Sequence, residues 1–230
     1  YSALKSAASL LPMVVVMMPL SAMAPLIAKR VGTRNTLATG MALFASGLVL
    51  LALMVSAEGG YWSVLPGLLV LSFGIGLCMS PSTTVITESL PVAKQGVASA
   101  LNDTVRELGG AIGIALLGSF VSAGYRSSVA DATTGLSPDL AHRVQEGIGA
   151  AFAAAPDLGA DAPAVLEAAK LALVDGWQVA MWFGVGLAAA TFAFLVIRGP
   201  RPSDLEAEDA LDADLPGDLH TDLADVLVDA

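Results

Sequence analysis

Polar and apolar positions in this chain are segregated into long blocks. They do not alternate with the short period of a strand, or with the one-sided period of a helix on a water-soluble core. Two stretches, about 36–56 and about 62–87, contain no charged residue at all. A third runs from about 9 to 28 and a fourth from about 176 to 197. A fifth is apolar from Leu108 to Ala123, and its helix is predicted to start earlier, giving a span of about 97–123. A hydrocarbon layer roughly 30 Å thick is crossed by about 20 apolar helical residues, so each stretch is long enough to span a bilayer. A chain of this size cannot bury five helices that are apolar all round while remaining in water. The fold class that follows is all-α and transmembrane, with five membrane-spanning helices.

The connections set an orientation. Lys29, Arg30 and Arg34 follow the first span, Lys94 follows the third, and Arg198 and Arg201 follow the last. The opposite connection, Ala57 to Tyr61, carries Glu58 and no base. Basic residues mark the cytoplasmic side, so the C-terminus is expected inside. Tyr61, Trp62, Tyr125 and Trp177 fall at the expected outer ends of spans, where aromatic rings favour the headgroup layer. The organisation expected is four spans within 1–123, an outer connection over 124–175, a last span over 176–197 and a tail over 198–230. Within the connection, Leu140–Phe152 and Ala164–Val174 have the pattern of short amphipathic helices, suited to a membrane surface, an outer cap or a plain spacer.

Composition sharpens this reading. Only 14% of residues are charged and the mean hydropathy is +0.72, against about a quarter charged in ordinary soluble domains. The net charge of −10 belongs to the tail: ten of the 21 acids lie after Arg201 and no Lys or Arg does. The other acids balance the 11 bases. The tail is acidic and poor in aromatics, a composition that predicts disorder. No basic cluster suggests a nucleic-acid partner. Cys78 is the single cysteine, and His142 and His220 lack ligand spacing, so no disulfide, metal site or catalytic group is expected. The chain opens at Tyr1 without a signal-peptide pattern, as a piece of a longer polypeptide would.

Polar groups inside the apolar spans carry the functional information, because each costs free energy in lipid unless paired or wetted. In the third span, Gly74 and Gly76 allow another backbone to approach closely. Pro81 leaves a carbonyl without its helical donor, and Ser80, Ser82, Thr83 and Thr84 supply hydroxyls nearby. A bent helix lining a wet cavity and a kinked packing helix whose hydroxyls bond their own backbone fit this pattern equally. The fourth span opens with Asn102, Asp103, Thr104, Val105, Arg106 and Glu107. Three- and four-residue spacings place Arg106 within reach of both Asp103 and Asn102 on a helix. An ion-paired helix end and a gate at the cytoplasmic mouth both fit. Gly109 and Gly113 form a small-residue face suited to helix packing. Pro12, Pro19 and Pro25 interrupt the first span, which places it in a bundle where neighbours compensate the lost bonds.

These residues also resemble a known family. Ala24 to Arg34, with Arg30, Gly32 and Arg34, is similar to the basic cytoplasmic loop between paired helices of the major facilitator superfamily. It departs from that loop at Pro25, where Gly is common, and at Lys29, where Asp is common. The run from Gly96 to Ser119 resembles the penultimate helix of the fourteen-span drug–proton antiporters, and Tyr1–Leu4 with Leu10–Pro12 fits the same group. The resemblance covers about 1–125 well and 176–197 loosely. It implies that the five spans are part of a C-terminal helix bundle, with the remaining N-terminal spans of the same protein as partners in a bacterial inner membrane. It implies proton-coupled efflux of lipophilic or cationic compounds by alternating access, driven by a proton gradient with no cofactor. The residues carried forward as gate or substrate candidates are Asn102, Asp103, Arg106, Glu107, Ser80 and Thr84. Gly74, Gly76, Pro81, Gly109 and Gly113 are the bending or packing candidates. The alternatives are export of an endogenous metabolite or lipid, a non-transporting membrane subunit, and a degenerate half-transporter. A membrane enzyme would need paired intramembrane acids or a nucleophile with a base, and neither pattern is present.

Overall fold

The computed structural model describes residues 8–91 and 94–199. The Tyr1–Leu4 motif and the acidic tail, from Pro200 onward, lie outside the described residues. Seven α-helices account for nearly all of the rest: α1 (Leu11–Val31), α2 (Thr33–Met54), α3 (Gly60–Glu88), α4 (Gln95–Val129), α5 (Pro138–Glu146), α6 (Ile148–Leu158) and α7 (Ala162–Arg198). Among the described residues there is no strand. Five regions among the described residues are long and apolar enough to cross a membrane, in the order the sequence gives for its spans.

Glycine sets the distances between these helices. A Cβ at Gly74 of α3 would stand 2.7 Å from the Cα of Phe44 and would also meet the Gly40 carbonyl of α2. Gly47 of α2 would meet the Leu71 backbone at 2.6 Å, so α2 and α3 touch backbone to backbone along their length. Gly76, on another face of α3, lies against Leu20 and Met17 of α1. The second close pair is α4 with α7, where a Cβ on Gly124 would stand 2.6 Å from the Gly176 Cα. In lipid there is little hydrophobic gain from helix association, so close van der Waals contact at small residues supplies much of it. Leu48, Leu51 and Ala52 of α2 pack on Ala180, Met181 and Ala188 of α7 and join the two pairs.

Both α4 and α7 continue past their apolar spans. At 1.5 Å per residue, helices of 35 and 37 residues are each longer than about 50 Å, well beyond a hydrocarbon layer of about 30 Å. The segment 164–174, read from the sequence as a separate amphipathic helix, is the first part of α7. No proline interrupts the chain between Pro163 and Pro200, and Gly176 is a contact point with α4, not a break. The projecting ends of α4 and α7 are covered by α5 and α6. Together they enclose a second apolar core in which Tyr125, Val129, Val144, Leu158 and Val165 pack among the small side chains of Ala151, Ala154, Ala169 and Ala172. Ser137 caps α5 by accepting from the Leu140 N–H, and Pro138 occupies its first turn. On the rim, Arg143 donates to Asp157 at 2.8 Å.

Tyr125 is therefore a core residue of this helical cap, not a ring in the headgroup layer. It is 2% exposed and its hydroxyl donates to the Val144 carbonyl at 2.9 Å. Tyr125→Phe should leave that carbonyl unpaired and cost the cap about 1–2 kcal/mol. The expected result is faster limited proteolysis within 130–161 in membranes, with the rest of the chain unchanged. An unaltered cleavage rate would show that the bond does not hold the cap together.

Candidate functional site

The polar groups singled out in the sequence gather at the end of the bundle that carries Arg30 and Arg34. In α3 the hydroxyls bond mainly to their own helix. Ser82 and Thr83 both donate to the Met79 carbonyl, at 3.1 and 3.0 Å, and Thr84 donates to the Ser80 carbonyl at 3.2 Å. These bonds turn the hydroxyls back onto the helix around Pro81, which is buried and has no N–H to give the Leu77 carbonyl. Ser80 is half-buried and Thr84 exposed.

Across from them, α4 presents its charges. Arg106 Nη2 donates to the Thr83 Oγ1 at 3.2 Å, linking α4 to α3. The Asp103–Arg106 ion pair that helical spacing allows does not form: among the described residues the pairs present are His142–Glu146, Arg143–Asp157 and Glu167–Lys170, all outside this cluster. Asn102 is 8% exposed and donates to Asp103 at 3.4 Å. Asp103 and Glu107 are exposed. The guanidinium turns toward α3 because residues 98, 102 and 106 share one side of the helix by four-residue spacing, and Ala98 and Asn102 on that side are buried. Asp103 and Glu107 lie on the next rows and point elsewhere.

Two cavities open beside this cluster. One, of about 280 Å³, lies between α2, α3 and α4 and is bordered by Phe44, Gly74, Cys78, Met79, Ser82 and Arg106. The other, of about 460 Å³, lies between α2, α4 and α7 and is bordered by Gly109, Gly113, Met181, Phe183, Gly184 and Thr191 among others. Met41 and Phe44 of α2 border both. Methionine and phenylalanine give an adaptable, polarisable wall, and ring faces attract cations. A Cβ at Gly109 or Gly113 would meet nothing within 4 Å. The two glycines thus edge an open groove, in contrast to Gly74 and Gly76, which hold helix contacts. Met41, Phe44 and Phe183 did not stand out in the sequence, because an apolar residue in an apolar span carries no signal of which way it faces.

The basic turn is built tightly. Gly32 adopts φ +91° between α1 and α2, a conformation that costs glycine little. Its N–H bonds back to Ala28 at 2.8 Å. Lys29 and Arg30 lie in the last turn of α1, where cations oppose the helix dipole. Arg34 of α2 donates through Nη2 to the Val196 carbonyl near the end of α7. This cap joins the first turn of the chain to its last described helix, and nothing in the local sequence signals it.

An apolar bundle of membrane-length helices, with a charged cluster and adjoining cavities at one end, has the architecture of a polytopic membrane protein. Comparison with known proteins makes this specific. The Major Facilitator Superfamily matches residues 1–114. The chain is 35% identical over 150 residues to the multidrug efflux pump LfrA of Mycolicibacterium smegmatis, an overlap of 65% of this chain and 29% of LfrA. It is 34% identical over 94 residues to the multidrug resistance protein Stp of Mycobacterium tuberculosis, covering 41% of this chain and 17% of Stp. It is 28% identical over 159 residues to the methyl viologen resistance protein SmvA of Salmonella typhimurium, covering 69% of this chain and 32% of SmvA. Residues 1–114 belong to the Major Facilitator Superfamily, and the relatives named are one multidrug efflux pump and two resistance proteins. The matches span no more than 32% of the length of these relatives.

Proposed function

We propose that this chain is the C-terminal part of a proton-coupled exporter of lipophilic or cationic compounds. The observation that carries the reading is that Arg106 borders a cavity shared by Met41, Phe44 and Met79 at one end of the bundle, beside a second apolar cavity walled by Met41, Phe44, Met181 and Phe183. Charges in a membrane bundle mark pathways and switches, and a wide apolar wall accepts many lipophilic molecules without a fixed hydrogen-bond pattern. The relatives' names, multidrug efflux and methyl viologen resistance, favour the same substrate class. The basic end is cytoplasmic in this reading, by the Lys and Arg bias of the short connections, and the tail follows it inside. The further spans of the same polypeptide supply the other half, and the two halves alternate access to a shared path. The proton gradient provides the energy and no covalent step is assigned to any residue.

The test is drug susceptibility with and without the intact gene. Loss of the gene should raise sensitivity to methyl viologen and to lipophilic cationic dyes, and its return should restore resistance. Unchanged sensitivity to all of them would contradict the reading. If the gene's loss instead caused an endogenous metabolite to build up in the cells, export of that metabolite would take its place.

A further inference from the structure

The end of the bundle that carries Arg30 and Arg34 holds positive charge without partners. Lys29 and Arg30 close α1, Lys94 precedes α4 and Arg198 ends α7, and all four are exposed. None of them is in an ion pair among the described residues, where the pairs present lie on the helical cap at the opposite end. The same chain carries the complementary surplus. After Arg201 come ten acids, from Asp204 to Asp229, and no Lys or Arg.

The fold sets where that acidic segment begins. Arg34 Nη2 donates to the Val196 carbonyl in the last turn of α7. Gly199 is buried, and a Cβ there would stand 3.0 Å from the Arg34 Cγ. The end of α7 is thus held against the residue that opens α2, just past the Gly32 turn. A chain reaches at most about 3.5 Å per residue. By that measure Lys29, five residues from Arg34, is no more than about 18 Å from it. Asp209, ten residues beyond Gly199, has a reach of up to about 35 Å. The acids therefore start beside the unpaired cations and have length to spare.

We infer that the acidic segment 204–229 docks across this basic end as an electrostatic strap, against Lys29, Arg30, Lys94 and Arg198. The inference does not depend on what the protein exports. Anionic lipid headgroups also attract basic side chains at a membrane surface. The segment is favoured over them because it is tethered at the face itself, so its contact is intramolecular, at an effective concentration on the order of millimolar. Each exposed pair contributes little alone, and the strap holds by their number. It would bind the end of α7 to the α1–α2 turn alongside the Arg34 cap, and resist separation of these ends.

The experiment treats the full-length protein with a carbodiimide, which condenses a lysine amine and a touching carboxylate into an amide and takes up the water as a urea. The protein is held in vesicles of phosphatidylcholine alone and of phosphatidylcholine mixed with phosphatidylglycerol. Amides in the monomeric protein are located by mass spectrometry. The Lys170–Glu167 pair, at 3.0 Å on the cap, is the internal control. The expected result in both lipids is an amide joining Lys29 or Lys94 to an acid within 204–229. Raising salt from about 0.01 M to about 1 M shortens the Debye length from about 30 Å to about 3 Å. Relative to the control, the amide yield should then fall several-fold, and Arg30→Glu at low salt should lower it likewise. Absence of these amides where the control amide forms would overturn the inference. Their loss on adding phosphatidylglycerol would assign the face to lipid and overturn it too, as would a yield indifferent to both salt and Arg30→Glu.

Discussion

Gly74→Val should prevent the bundle from assembling. Gly74 lies where α3 and α2 approach most closely, and any Cβ there would overlap the Phe44 backbone and the Gly40 carbonyl. Backbone cannot swing aside as a long side chain can, so the helices must separate. Separation would also lift Gly47 off Leu71 and draw Gly67 away from Leu51, because these contacts share one interface. Overpacking of a well-packed site costs about 1–3 kcal/mol when side chains absorb it. With backbone on the opposing side, a cost at or above about 3 kcal/mol is expected, a large fraction of a membrane bundle's margin. The expected outcome is a several-fold fall in the amount of protein recovered from membranes and a lower melting temperature in detergent. Gly113→Ala is the comparison, since a Cβ there meets nothing within 4 Å. Equal recovery of Gly74→Val and Gly113→Ala would show that the α2–α3 contact is not as close as described.

Arg106→Ala should act on transport and leave assembly intact. The side chain is exposed and makes one hydrogen bond across helices, to Thr83. Little packing is lost with it. A hydrogen bond involving a charged group contributes about 1.5–3 kcal/mol, and 1.4 kcal/mol is a factor of ten in an equilibrium. If that bond helps set the balance between two arrangements of α3 and α4, its removal should lower efflux by about tenfold or more, with membrane abundance unchanged. Lysine at this position keeps the charge but not the planar fork and should recover only part of the activity. Efflux at the wild-type level in Arg106→Ala would remove Arg106 from the gate.

The spans were legible because lipid imposes a requirement that sequence shows directly: about 20 consecutive residues without an unpaired charge. The stretches 36–56 and 62–87 meet it and correspond to α2 and to most of α3. Their packing was legible only in part. Gly74 and Gly76 announced close approaches by their lack of a side chain, yet Gly109 and Gly113 carry the same signal and edge a groove. A glycine shows that something can come close, and the partner decides whether it does. Arg106 was legible as a charge near a helix start. Its partner was not, since helical spacing offers Asp103 and Asn102 while the fold brings Thr83 from 23 residues away. The cap was least legible. Its core is largely alanine at Ala151, Ala154, Ala169 and Ala172, and alanine is equally at home in a surface helix, so the sequence of 124–175 read as a connection.

Exchange of exported compound for protons is tested directly in everted membrane vesicles containing the full-length protein. A pH gradient, acid inside, is built and followed with a fluorescent amine, and a transported lipophilic cation is then added. The cation is expected to release protons and partly collapse the gradient, only in vesicles that contain the protein. Accumulation of the cation that leaves the gradient untouched and survives a protonophore would contradict it.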